Sequence, residues 1–189
     1  MSLFCNGFYK NAVQIISTNF EQRPKNTEIS LIVLHNISLP PFEYGSSCID
    51  KLFQNKLDNE DNAFLKSIAA LRVSSHFLIE RTGNIKQFVS CNDMAYHAGR
   101  SSFHGQEKCN LFSIGIELEG CDFEPFATEQ YDKLLILLKD LIKAYPTISA
   151  ICGHSDIAPN RKTDPGHFFD WQCLIDAGFP VDRNNFQVA

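Results

Sequence analysis

One segment, Gly153-His154-Ser155-Asp156-Ile157-Ala158-Pro159-Asn160-Arg161-Lys162-Thr163-Asp164-Pro165-Gly166, holds a histidine, a lysine and two aspartates. A histidine and a carboxylate are natural zinc ligands, and a catalytic zinc usually has three protein ligands and one open position for water. Pro159 and Pro165 lack backbone donors, and Asp-Pro and Pro-Gly pairs favour turns, so a stiff, non-helical loop is expected to carry Lys162 and Asp164 back past His154. A second histidine, His35, closes the apolar run Ile29-Ser30-Leu31-Ile32-Val33-Leu34-His35 and is the best candidate for a second ligand. A base for the same chemistry is offered by Glu117, in Ser113-Ile114-Gly115-Ile116-Glu117-Leu118-Glu119-Gly120.

These residues must be positioned by the elements that end in them. Ile148-Ser149-Ala150-Ile151-Cys152 reads as a short buried strand delivering His154. Ile29–His35 reads as a strand buried on both faces. In the 113–120 stretch, Ile114, Ile116 and Leu118 face one side, and Gly115, Glu117 and Glu119 the other. Gly115 is expected to leave space for a ligand approaching Glu117. Cys152 would share a face with His154. Val73–Glu80 and Ile85–Val89, flanking Arg81-Thr82-Gly83-Asn84, predict a hairpin with His76 inside a strand, either as a structural residue or as a support behind the site's own residues. Helices are predicted at a capped Ser47–Phe53, at Ala63–Leu71, after Thr128 along the Tyr131, Leu134, Leu135, Leu138, Leu141, Ile142 and Tyr145 stripe, and from Asp170 to Gly178. Residues 91–112, with Tyr96, His97 and His104, read as an irregular cleft wall. The expectation is one α/β domain over 1–189, a central mixed β-sheet covered by helices. An N-terminal arm would span about 1–28 and a loose tail about 180–189.

Composition narrows the class. The chain has 189 residues, 44% of them hydrophobic, enough for one real core. Its net charge of −5 without a like-charged run argues against a nucleic-acid partner. No apolar run reaches the ~18 residues of a membrane span, and no signal peptide is visible at Met1–Gly7. Seven cysteines without C-x-x-C spacing argue against a disulfide framework and for a reducing, cytoplasmic setting.

Leu34-His35-Asn36-Ile37-Ser38-Leu39-Pro40-Pro41, Leu71-Arg72-Val73-Ser74-Ser75-His76, Phe112–Gly120 and Gly153–Gly166 resemble the AmpD-type amidases, the cytoplasmic 1,6-anhydro-N-acetylmuramoyl-L-alanine amidases of bacterial cell-wall recycling, a group related to phage amidases and peptidoglycan recognition proteins. The resemblance spans roughly residues 20–178. It implies a peptidoglycan-recognition-protein-like fold and one Zn²⁺ held by His35, His154 and Asp164. It further implies Glu117 as general acid/base, Lys162 at the reacting carbonyl, and an anhydro-muropeptide substrate with no obligate protein partner. Arg72, Lys108, Asn36, Tyr96 and His97 are candidate substrate contacts. Tyr96 stands where the family has Trp and Lys108 where arginine is usual, so the fit of the stem peptide is where this chain departs. Rival readings are a lytic amidase acting on intact wall and a non-catalytic peptidoglycan-binding module.

Overall fold

A six-stranded mixed sheet runs through the centre of the computed structural model, which describes residues 3–57 and 62–183. In chain order its strands are β1 (Val13–Gln14), β2 (Leu31–Ile37), β3 (Phe77–Ile79), β4 (Ile85–Gln87), β5 (Ser113–Glu119) and β6 (Ala150–Gly153). Across the sheet they lie in the order β6-β2-β5-β3-β4-β1. The first four are parallel; β4 runs antiparallel to β3, and β1 parallel to β4. The helices are α1 (Cys48–Phe53), α2 (Ala63–Ile68), α3 (Thr128–Ala144), α4 (His154–Ile157) and α5 (Trp171–Asp176). Among the described residues no helix is long and apolar enough to cross a membrane.

The central strands are apolar because both faces are covered. Ile32 and Leu34 of β2, Ile114, Ile116 and Leu118 of β5, and Ile151 of β6 share a core with Leu134, Leu137, Leu138 and Leu141 of α3. On the other face, Leu31 and Val33 of β2 and Ala150 and Cys152 of β6 pack against Ala98, Cys109, Phe112 and Ile157. Burying each Leu or Ile is worth about 1.5–3 kcal/mol, and a slip of one residue would turn every side chain to the wrong face. The apolar residues therefore set the register. After Leu31 and Val33, the next residue on that face is His35.

Helix α3 is tied to the sheet by Gln130. Its Oε1 accepts from Ala127 N at 3.0 Å, and its Nε2 donates to the carbonyls of Ile79 and Glu119 at 3.0 Å each. Pro146 follows its end, as expected. Helices α1 and α2 cover a second core around Leu39, Leu57, Leu78 and Phe88.

Several details differ from expectation. The 153–166 loop begins with a helical turn, α4, because Asp156 Oδ2 accepts from Gly153 N at 2.7 Å and closes that turn before Pro159. The N-terminal arm is not merely laid on the domain. Val13–Gln14 extends the sheet as β1, Phe20–Gln22 pairs with Asp93–Ala95, and Tyr9 is buried with its hydroxyl donating to Asp140 at 2.6 Å. Two- and three-residue strands are too short for a period of two to show. The start of the expected tail also has a partner. Ile151 N donates to Pro180 O at 2.8 Å and Asp182 N to Ile151 O at 2.9 Å, covering the free edge of β6. The rest of that tail, 184–189, lies outside the described residues. Ser47 makes no side-chain cap on α1; Ser46 Oγ accepts from Cys48 N at 3.2 Å instead. The hairpin is present as β3–β4, but His76 sits just before β3, buried, with Nδ1 accepting from Gly115 N at 3.0 Å.

Candidate metal centre

Register brings the site together. β2 and β5 place His35 opposite Glu117, while β2 and β6 place Leu34 opposite Gly153. His154, one residue on, emerges beside His35 at the carboxyl ends of parallel strands, where open α/β sheets hold ligands. Asp164 arrives from the loop. Ser155 N donates to Asp164 O at 2.9 Å, and Lys162 N to Ala158 O at 3.1 Å. Pro165 packs over Gly153, where a Cβ would lie 2.8 Å from Pro165 Cδ. Asp122, just beyond β5, straps the loop down: its Oδ1 accepts from Asn36 Nδ2 at 2.6 Å and its Oδ2 from the Thr163 hydroxyl.

Three ligand atoms converge. His35 Nδ1 is 3.0 Å from His154 Nδ1 and 2.9 Å from Asp164 Oδ2, and His154 Nδ1 is 3.0 Å from that same oxygen. His154 Nε2 lies 3.1 Å from the carbonyl oxygen of Ala98, which can only accept. Nε2 therefore carries the ring proton, and the lone pair of Nδ1 faces a carboxylate oxygen. Such an arrangement repels itself unless a cation lies among the three atoms. Two imidazole nitrogens and one carboxylate oxygen form a donor set suited to zinc. The residues present thus fit a metal, and they are the group of described residues placed to hold one.

Charge states agree with that use. Burial pushes the His35 imidazole down to about 4, against the pull of Asp164, so it is a neutral ligand at physiological pH. Burial alone would raise the Asp164 carboxyl, but the neighbouring His154 and His35 rings hold it below the usual carboxylate range. Glu117 is buried, and burial pushes its carboxyl well above the usual range; Asp164 adds to the rise and Lys162 opposes it. Its Oε2 makes no hydrogen bond within the protein, so that oxygen is open to a group entering the cleft. Glu119 is different: it accepts from Gly45 N at 2.6 Å and Arg81 N at 3.1 Å.

Gly115 does not make room for a ligand. A Cβ there would lie 2.5 Å from His97 Cγ, so the glycine is a notch for the His97 ring. Both His97 nitrogens are engaged, Nδ1 with His35 Nε2 at 3.0 Å and Nε2 with Ser113 Oγ at 3.2 Å, which leaves neither for a substrate. Cys152 is packed in the apolar layer with Leu31 and Cys109, not with the three ligands, and burial pushes its thiol up.

The other predicted residues divide between grooves. A cleft of about 510 Å³ is lined by His35, Asn36, Tyr96, Glu117, Lys162 and Asp164. The amide nitrogen of Asn36 is taken by Asp122 and by Pro165 O, so this side chain holds the loop. Arg72 is exposed and lines an adjoining groove with Tyr96, Arg161 and Lys162. Lys108 is not brought to the cleft; it lines a further groove of about 620 Å³ with Arg100, Glu107 and Arg161. Sequence reasoning passed over Arg161, which borders all three grooves and donates to Ala98 O at 2.8 Å and Arg100 O at 2.7 Å. It also missed Asp122. Their place beside the ligand-bearing segments was the available signal.

Known proteins resemble this chain in sequence and in fold. A family profile described as N-acetylmuramoyl-L-alanine amidase matches residues 25–167. The 1,6-anhydro-N-acetylmuramyl-L-alanine amidase AmpD of Haemophilus influenzae is 49% identical, over 90% of this chain and 94% of that one. A crystal structure of a selenomethionine AmpD derivative superposes with a TM-score of 0.89 at 45% identity, covering 93% of this chain and 98% of that one. The N-acetylmuramyl-L-alanine amidase AmiD of Escherichia coli, solved with anhydro-N-acetylmuramic acid-L-Ala-D-γ-Glu-L-Lys, gives 0.58 at 28% identity, covering 84% and 61%. By profile, by sequence and by fold, this chain belongs to the N-acetylmuramoyl-L-alanine amidase family.

Proposed function

We propose that this chain uses one zinc ion, held by His35, His154 and Asp164, to hydrolyse the amide between the lactyl group of 1,6-anhydro-N-acetylmuramic acid and L-alanine of the stem peptide, as a cytoplasmic step of peptidoglycan recycling. The observation that carries the chemistry is the convergence of three electron-pair donors beside a buried carboxylate with an unpartnered oxygen. The names of the relatives supply the substrate class. When bound, zinc would polarise the scissile carbonyl and acidify water.

The chain's own residues supply the remainder. Glu117 accepts the proton of the attacking water and delivers it to the leaving amine nitrogen, a role worth roughly 10²–10⁴-fold. Its surroundings suit a group that must both take and give a proton, because Asp164 and burial favour the protonated form while the exposed Lys162 opposes them. The Lys162 ammonium stabilises negative charge on the carbonyl oxygen, a contribution of about 10²–10³-fold for one such donor. Tyr96 and Arg72 receive the sugar and the stem along the cleft and its adjoining groove.

Metal analysis with digestion of soluble anhydro-muropeptide tests this reading. About one zinc per chain and release of the free stem peptide are expected, with little action on isolated sacculi. Zinc-free, fully folded protein that remains active in chelator would overturn the metal assignment. Rapid lysis of sacculi would favour the lytic alternative, and binding without turnover the non-catalytic one.

A further inference from the structure

The ring of His97 meets His35 at Nε2, the nitrogen opposite the one that faces His154 and Asp164, and the contacts around it fix more than its position. Ser113 Oγ donates to Cys109 O at 2.6 Å, since that carbonyl can only accept. The hydroxyl has one proton, so toward His97 it acts as acceptor, and His97 Nε2 must donate across 3.2 Å. His97 Nδ1 is then a lone pair, and it accepts from His35 Nε2 at 3.0 Å. With its proton on Nε2, His35 has a bare Nδ1 directed at His154 and Asp164. The orientation is built in from both sides. Asn110 Oδ1 accepts from the backbone amides of His97 and Ala98 at 3.2 and 2.8 Å, and the Gly115 notch seats the ring.

We propose that Ser113 and His97 form a one-way hydrogen-bond relay that holds His35 in the tautomer whose Nδ1 is free for the metal, making both positioning residues for the centre. The adjacent residue completes the pattern. Ala98 O fixes the tautomer of His154 in the same sense, so the short segment His97-Ala98 sets both histidine ligands. His97 is thus a support of the centre as well as part of the cleft wall. The role in metal binding rests on the zinc reading above, whereas the tautomer itself does not.

The test has a metal-free arm and a metal arm. Long-range ¹H–¹⁵N imidazole spectra of the labelled, metal-free wild type should show His35 and His97 both protonated on Nε2. Ser113→Ala should turn His97 into a tautomer mixture. In chelator competition, His97→Ala should bind zinc about 10–100-fold more weakly, the usual cost of losing the partner of a histidine ligand. His97→Asn, which places an acceptor oxygen where Nδ1 stood, should recover most of that loss. Finding the His35 proton on Nδ1 in the wild type overturns the relay. So does zinc affinity within twofold of wild type in His97→Ala, or no recovery in His97→Asn. Should the wild type fail to take up zinc at all, the metal centre is refuted, and the spectra still decide the relay.

Discussion

Glu117 and Glu119 project from the same face of one strand, and exchanging each for glutamine should produce opposite effects. Glu119 accepts two backbone N–H bonds, from Gly45 and Arg81. Hydrogen bonds to a charged group are worth roughly 1.5–3 kcal/mol each. Gln can satisfy one of them, but its amide nitrogen must face the other N–H. Glu119→Gln should therefore cost about 2 kcal/mol, or a melting temperature lower by about 4–8 °C for a chain of this size. The Glu119 side chain lies nearly 7 Å along the strand from Glu117, at about 3.3 Å per residue, so turnover per folded molecule should stay within a few-fold of wild type. Glu117 Oε2 has no partner to lose. Glu117→Gln should keep its fold, its zinc and its muropeptide binding, yet lose about 10²-fold or more in kcat. Calorimetry, metal content and single-turnover digestion of anhydro-muropeptide read all of this from two proteins. If Glu119→Gln is folded but dead while Glu117→Gln works, the base is misassigned. If Glu117→Gln sheds the metal, Glu117 is a ligand and the centre must be redrawn.

Other expectations follow from the same geometry. His154→Ala or Asp164→Ala should lose zinc on dialysis, measured by elemental analysis; retention at full stoichiometry would contradict the three-atom site. In metal-free protein, burial raises Glu117 above its unfolded value, so its contribution to stability is full below about pH 4.5 and declines as pH rises through the folded value. Metal-free Glu117→Gln should accordingly exceed metal-free wild type by roughly 1–2 kcal/mol at pH 7, the excess penalty of a buried charge over a buried amide. Denaturant melts should show that gap closing toward pH 4, and a gap independent of pH would refute the buried-charge argument. Lys108→Ala should raise KM more than it lowers kcat if the stem peptide reaches past Arg161 into the neighbouring groove; unchanged kinetics would confine the substrate to the central cleft.

The parts of this molecule that could be read from sequence are those where burial leaves a pattern. Strands β2 and β5 are apolar runs because both their faces are covered, and the α3 stripe repeats with helical period. His35 and His154 were visible because each closes such a run. What escaped was decided by packing across the sheet. Gly115 looks like room for a ligand until the ring from residue 97, distant in sequence, is placed against it. The turn at α4 was hidden by two prolines that follow it rather than lie within it. Arg161 and Asp122 act through backbone carbonyls and a loop hydroxyl, contacts that carry no sequence spacing. A usable trace did exist in Ser113: a polar residue fully buried on the face that leads to Glu117 calls for a partner.

The Asn36–Asp122–Thr163 strap has a consequence for how this enzyme could change over generations. It lashes the loop that carries the candidate ligand Asp164 to the ends of β2 and β5, so the geometry of the candidate centre is inherited as a unit from the sheet. Arg72, Tyr96 and Lys108 stand outside that unit, on connecting segments beyond the strands. On the proposed function, mutation at those three positions leaves the hydrolytic step untouched, and a variant library confined to them should spare the metal centre whatever it does to selectivity.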